Sequence, residues 1–362
     1  MPVGEKLLNE HYRFREDFIP SHLTSSQRDA RRHYLEEIHR KGRYSVITQC
    51  PYCGHGNFTK ISEIDARALP SSIVVCDLCG GCFKNEIMSS DGNRYHYEHI
   101  SYLLRGKSIS TDAIESTFAE RVKKFAYPRY HFISHFIDLD PRDDVIAEFG
   151  CNDGANLFPW HEKRFTTIGV ELDSKMVEFG KKIGIDIVCG DFSSFSLARK
   201  PKLIILSHVL EHVSDINAVV ARLGEILAPD GFLFIEVPGL RVQAVGDALR
   251  YFDVEHNYNF DFSSLKILLE RCGFKLIYGD EYARLLCTPS RNNFTVTRGR
   301  MPVSAHKIKA AFLKKCIESL SGNSRKIYDV LKESAHRSLK TRLLGKMYML
   351  YFGCYYSSFT EV

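Results

Sequence analysis

From Asp144 onward, short apolar runs alternate with stretches of helical spacing. The runs are Val145-Ile146-Ala147, Thr167-Ile168-Gly169-Val170, Ile185-Asp-Ile-Val-Cys189, Lys202-Leu-Ile-Ile-Leu206 and Phe232-Leu-Phe-Ile-Glu236. A helix is expected from about Asp215 to Leu227. Another is expected from Ser263 to Cys272, with Leu265, Leu268, Leu269 and Cys272 on one side and Gly273 as its stop. Phe274 to Tyr278 and then Asn293 to Thr297 are expected to complete a sheet as a hairpin. Continuous apolar strands alternating with helices predict an α/β fold, a doubly wound, mostly parallel, Rossmann-like sheet covered on both faces.

Other periodicities flank this block. Ala30, Tyr34 and Ile38 fall four apart in a helix predicted from about Ser26 to Arg40, with Ser25 or Ser26 as its cap. Thr111 to Phe136 reads as helical, interrupted at Pro128. Beyond Pro302, Ile308, Phe312 and Cys316 share a helical face, as do Leu339, Leu343 and Met347. Five segments follow: a helical start (1–48), a cysteine-rich module (49–88), a helical connector (89–143), the α/β domain (144–299) and a helical tail (300–362).

Composition adds limits. The 362 residues are 44% hydrophobic and 26% charged, as in an ordinary globular chain long enough for more than one domain. The net charge is +5, but from Arg300 to the end there are 12 Lys and Arg against 4 Asp and Glu, so everything before is slightly acidic. Nucleic acid is therefore not the expected partner of the core. The first residues, MPVGEKLLNEHYRF, lack an apolar signal core, and no apolar run approaches the ~20 residues of a membrane span. A cytoplasmic protein without a transmembrane segment is expected, its tail helices packing on the domain or at a homodimer interface.

The chemistry concentrates in two places. Cys50-Pro-Tyr-Cys53 and Cys76-Asp-Leu-Cys79 are two C-x-x-C knuckles, each followed by glycine. Two such knuckles suit tetrahedral coordination of a structural Zn2+ by Cys50, Cys53, Cys76 and Cys79, with Cys82 and His55 as spare donors. The second place is the turn after the first α/β strand. Glu148 precedes Gly150-Cys151-Asn152-Asp153-Gly154, and the second strand ends in Glu171-Leu172. A dinucleotide turn has G-x-G-x-x-G. Here the spacing is G-x-x-x-G behind a carboxylate, which would repel a pyrophosphate and suits a ligand bearing an ammonium and a sulfonium. That points to S-adenosyl-L-methionine. Glu171 is placed to accept from both ribose hydroxyls. Asp191 is placed to accept from the adenine amino group while Phe192 covers the ring. Ser207 and His208 close the fourth strand, and the run Arg94-Tyr-His-Tyr-Glu-His99 is a further candidate surface for a polar substrate.

EFGCNDG at 148–154, GVELD at 169–173, the two C-x-x-C pairs and Glu255-His256 within FDVEHNYNF resemble, in the same chain order, the sugar C-methyltransferases that carry an N-terminal zinc module. The resemblance spans roughly 50–280. It implies a class I methyltransferase sheet of seven strands, a nucleotide-activated keto-deoxysugar as substrate and methyl transfer to carbon through an enolate. A Tyr common in that family two residues before Glu-His is Asp253 here, and a short basic tail stands where the family has a long C-terminal domain. Carbon next to a ketone needs a base. His256 is the candidate, with Glu255 orienting it or binding a substrate hydroxyl, and His208 and His212 are rivals. A zinc-module RNA or protein methyltransferase, or an O-methyltransferase, is the alternative.

Overall fold

The computed structural model describes residues 4–5, 7–8, 10–105, 111–191, 199–240 and 251–290. Phe192, the expected strand 293–297 and the basic tail lie outside the described residues.

Six short strands come first: β1 (Gly4–Glu5), β2 (Tyr44–Val46), β3 (Phe58–Ile64), β4 (Pro70–Cys76), β5 (Cys82–Lys84) and β6 (Glu86–Met88). The α/β part follows with β7 (Val145–Phe149), β8 (Thr166–Glu171), β9 (Ile187–Cys189), β10 (Leu203–Ser207), β11 (Phe232–Glu236), β12 (Tyr258–Asn259), β13 (Phe274–Gly279) and β14 (Arg284–Pro289).

The large sheet is seven-stranded, in the order β13-β14-β11-β10-β7-β8-β9. The β9, β8, β7, β10 and β11 neighbours pair in parallel, and β14 runs antiparallel to both β11 and β13. This is the mostly parallel Rossmann-like sheet expected. The hairpin forms earlier than expected: β13 turns straight back into Arg284–Pro289. There Leu285, Leu286 and Cys287 are fully buried, so three apolar residues between polar ends suffice for an inner strand.

Alternate residues of each strand feed opposite cores. Ala147, Phe149, Ile204, Leu206, Leu233 and Ile235 face the helices Ile216–Ile226 and Phe262–Arg271. Ile146, Leu203, Ile205 and Phe234 meet Phe132, Ile133 and Trp160. Helix ends obey local chemistry. Asp215 caps one helix, and Asp261 caps the other through a capping box with Ser264. The first helix (Ser25–Tyr34) is capped by Thr24 rather than by a serine, because Gln27 at the third helical position returns the hydrogen bond. Pro128 sits in the first turn of a helix, Tyr127–Phe136, where its missing N–H costs little, so the helical run from Val122–Ala126 continues through it uninterrupted.

The cysteine module is not a separate bead. Its sheet, β1-β3-β4-β5-β12, takes its last strand from the α/β segment. Cys50, Tyr52, Cys76 and Cys79 share one apolar core with Ile216, Val220 and Leu268. Asn217 Nδ2 and Arg271 Nη1 both donate to the carbonyl of Pro51, each at 3.2 Å.

Candidate active site and metal centre

The strand order reverses between β7 and β10, and ligands of open α/β sheets bind at the carboxyl ends beside such a point. The turn after β7 and the loop after β10 touch there: a Cβ on Gly150, whose φ is +66°, would lie 2.5 Å from the Val209 side chain. Gly150 is therefore required twice, by backbone conformation and by this approach.

Glu148 is 1% exposed, and burial pushes its pKa up to about 8. Asn156 Nδ2 donates to its Oε1 at 2.6 Å, while Oε2 has no hydrogen-bond partner among the described residues. A buried carboxylate oxygen without a partner suits a ligand cation. Across the turn, the Glu171 carboxylate accepts from Asn152 N–H at 2.8 Å through Oε2, and from Leu172 and Asp173 N–H at 2.7 and 3.1 Å through Oε1. Three backbone donors orient it, two on Oε1 and one on Oε2, and leave one lone-pair site on Oε2. Asn152 has φ +53° and Gly154 φ +78°, and Asp153 is buried and ion-paired with Arg121. Leu172 is 72% exposed beside them, an apolar surface at the position expected for a nucleoside. Asp191 is exposed just beyond β9.

On the other side of the reversal point, Ser207 ends β10 opposite Glu236 of β11. His208 follows with φ +56°, its N–H bonded to the Glu236 carbonyl at 2.8 Å. Its ring lies 3.5 Å from Glu211 Oε1 and 3.8 Å from Glu236 Oε1. Burial would lower its pKa, but the nearby carboxylates of Glu211 and Glu236 outweigh this and raise it. Arg129 donates to both oxygens of Glu236, at 2.8 and 3.2 Å.

The loop carrying Glu255-His256 docks on this one: Asn257 and Tyr258 N–H both donate to the Glu211 carbonyl. His256 meets His212 edge to face, ring centroids 4.9 Å apart, and burial lowers its pKa. Glu255 takes a different direction. Its carboxylate accepts from His96 Nε2 at 2.9 Å, Ser101 Oγ at 2.6 Å and Arg105 Nη2 at 3.0 Å. Against the cost of burial, His96 and Arg105 hold it well below the usual carboxylate range. The expected substrate-facing run at 94–99 thus enters the site through buried His96. Arg121 and Arg129 were not singled out from the sequence, because their partners, Asp153 and Glu236, lie far along the chain.

In the cysteine module the four knuckle thiols converge. Cys50 and Cys79 sulfurs are 3.6 Å apart, as are those of Cys53 and Cys76, and all four lie within 4.8 Å of one another. A tetrahedron with metal–sulfur bonds of ~2.3 Å has edges of about 3.8 Å, so the set fits zinc. Neither Cys82 nor His55 belongs to the cluster.

Residues 118–278 match the family model described as a methyltransferase domain. Over 257 residues the chain is 22% identical to the C-methyltransferase NovU of Streptomyces niveus, covering 64% of this chain and 57% of that protein. It is 25% identical over 139 residues to a ubiquinone biosynthesis O-methyltransferase of Chelativorans sp. (strain BNC1), covering 35% of this chain and 54% of that one. The chain thus spans little more than half the length of these curated relatives. Among solved structures, DesVI of Streptomyces venezuelae is 15% identical with a TM-score of 0.41, covering 51% of this chain and all of that one. Residues 118–278 thus match a methyltransferase domain, carried here on a mostly parallel, Rossmann-like sheet.

Proposed function

We propose that the chain transfers a methyl group from S-adenosyl-L-methionine to a small, polar acceptor, a nucleotide-activated keto-deoxysugar, at carbon next to the ketone. The reading rests on one juxtaposition: two carboxylates flanking a glycine turn on β7 and β8, opposite a group of histidines on the loops after β10 and before β12. The donor's ammonium meets Glu148, and its ribose hydroxyls bind Glu171. Methyl transfer is an in-line displacement, so the acceptor lies across from the turn, against the histidines. One imidazole there, His256 or His208, takes the proton from the acceptor carbon. The carbanion equivalent, held as an enolate, attacks the methyl and expels the neutral thioether. Glu255, held by His96, Ser101 and Arg105, positions the His256 loop rather than reacting. The Cys50, Cys53, Cys76 and Cys79 set holds a structural zinc, since four protein thiolates leave no position for a substrate.

Similarity to a C-methyltransferase supports carbon as the acceptor; similarity to an O-methyltransferase supports oxygen as a second reading. Turnover of nucleoside-diphosphate keto-deoxysugars with a methyl-labelled donor separates them: the product's methyl proton shift distinguishes C–CH3 from O–CH3. No turnover with any such sugar, by protein that binds the donor, refutes the substrate class.

A further inference from the structure

Glu211 stands out among the buried polar groups. Its side chain is 1% exposed, and among the described residues neither carboxylate oxygen has a hydrogen-bond partner. A carboxylate in that position is costly unless something cationic satisfies it. Three imidazoles lie around it, His208 Nδ1 the nearest at 3.5 Å. His212 Nε2 is 3.8 Å from Glu211 Oε1, and one ligating atom from each of Glu211, His212 and His256 lies within 4.8 Å of the others. The outer atoms are also arranged as metal ligands require. His212 Nδ1 lies 3.1 Å from the Glu255 main-chain carbonyl, which must accept, so Nδ1 carries a proton, and in the neutral ring Nε2 turns its lone pair toward Glu211. The two loops that supply the donors are fastened together. Asn257 Nδ2 donates to the carbonyls of His212 and Val213, each at 3.1 Å, and Asn257 N–H to that of Glu211 at 2.7 Å.

We infer that Glu211, His212 and His256 form a second metal site, distinct from the four cysteines, for a divalent first-row transition ion. Two imidazoles and one carboxylate are the donor set of zinc, manganese, iron, cobalt or nickel rather than of calcium. Three protein ligands leave positions open, as in a site that takes part in chemistry. The inference deepens the methyl-transfer reading and rests on it only for the ion's use: a bound ion would polarise the acceptor's ketone oxygen and steady the enolate. His256 is then a ligand, and the proton from the acceptor carbon passes to His208, 3.5 Å from Glu211 on the exposed side. The C–H electron pair becomes the enolate and then the new C–C bond, while the S–CH3 pair stays on the departing sulfur. No electron is exchanged with the ion.

The test is metal content of the full-length chain, purified without chelator and then saturated in turn with Zn2+, Mn2+, Fe2+, Ni2+ and Co2+. Two ions per chain are expected, falling to one in Glu211→Gln, in His212→Ala and in His256→Ala. In the cobalt form the retained ion should show intense thiolate charge-transfer absorption, which also reports that the variant is folded. The lost ion should contribute only weak d–d bands. One ion per chain in the wild type with every metal overturns the site, as do two ions that the substitutions leave in place. Donor binding by calorimetry is read separately. Intact donor binding with a single ion refutes the second site alone. Two ions without donor binding refute the methyl-transfer reading alone.

Discussion

His96 holds Glu255 across 159 residues of chain, Nε2 to Oε1 at 2.9 Å, with both side chains buried. The helix Ser90–His99 is thereby tied to the loop that carries His256. Removing one partner of a buried hydrogen-bonded pair costs more than the bond itself, because the other is left desolvated. His96→Ala is expected to destabilise the chain by about 2–4 kcal/mol in urea unfolding. Turnover should fall at saturating donor while donor affinity is unchanged, because Glu171 and Glu148 lie on other strands. Equal loss of donor affinity would show that His96 acts on the wrong half of the site.

Glu148 links donor binding to pH. Its folded pKa of about 8 stands above the ordinary 4.5, so the folded, ligand-free chain holds a proton that the unfolded chain has lost. That contribution stabilises the fold below pH ~4.5 and is lost as pH rises toward ~8. A cationic ligand beside Glu148 favours the carboxylate. At pH 7 a group of pKa about 8 is about nine-tenths protonated, so binding should release close to one proton. Calorimetry of S-adenosylmethionine binding in buffers of different ionisation enthalpy measures this release. It should vanish in Glu148→Gln, and a release unchanged in that variant assigns the proton elsewhere.

Because the cysteine knuckles share an apolar core with the helices at 216–226 and 262–271, zinc should stabilise the whole chain and not only residues 49–88. Cys76→Ser, or chelation under mild denaturation, should lower the melting midpoint by on the order of 10 °C. A single calorimetric transition is expected. Two separated transitions, the larger unmoved, would make the module an independent unit.

The parts of this architecture that follow from local pattern were legible in the chain. β7, β10 and β11 are continuous apolar runs, and only buried parallel strands need such runs. The turn residues Gly150 and Gly154 and acids Glu148 and Glu171 could be read from spacing. The knuckles were legible because both ligands of each pair are local. β14 was missed because Arg284-Leu-Leu-Cys-Thr-Pro289 has polar ends and few apolar positions, whereas 293–297 alternates in the manner of a strand. Glu211 and His96 gain their roles only when the 253–258 loop docks between two other segments. Adjacent Glu255 and His256 suggested a pair, yet neighbours in an irregular loop point different ways, and here one faces His96 and the other His212.

The central claim is that the β7–β8 rim binds S-adenosylmethionine with Glu171 on its ribose. Titration calorimetry of the wild type against Glu171→Ala tests it most directly. Hydrogen bonds to a charged group contribute about 1.5–3 kcal/mol, so the wild type should bind one donor per chain and the variant about 10- to 100-fold more weakly, while still melting cooperatively in the absence of ligand. No heat of binding in the folded wild type, or equal affinity in the variant, would contradict it.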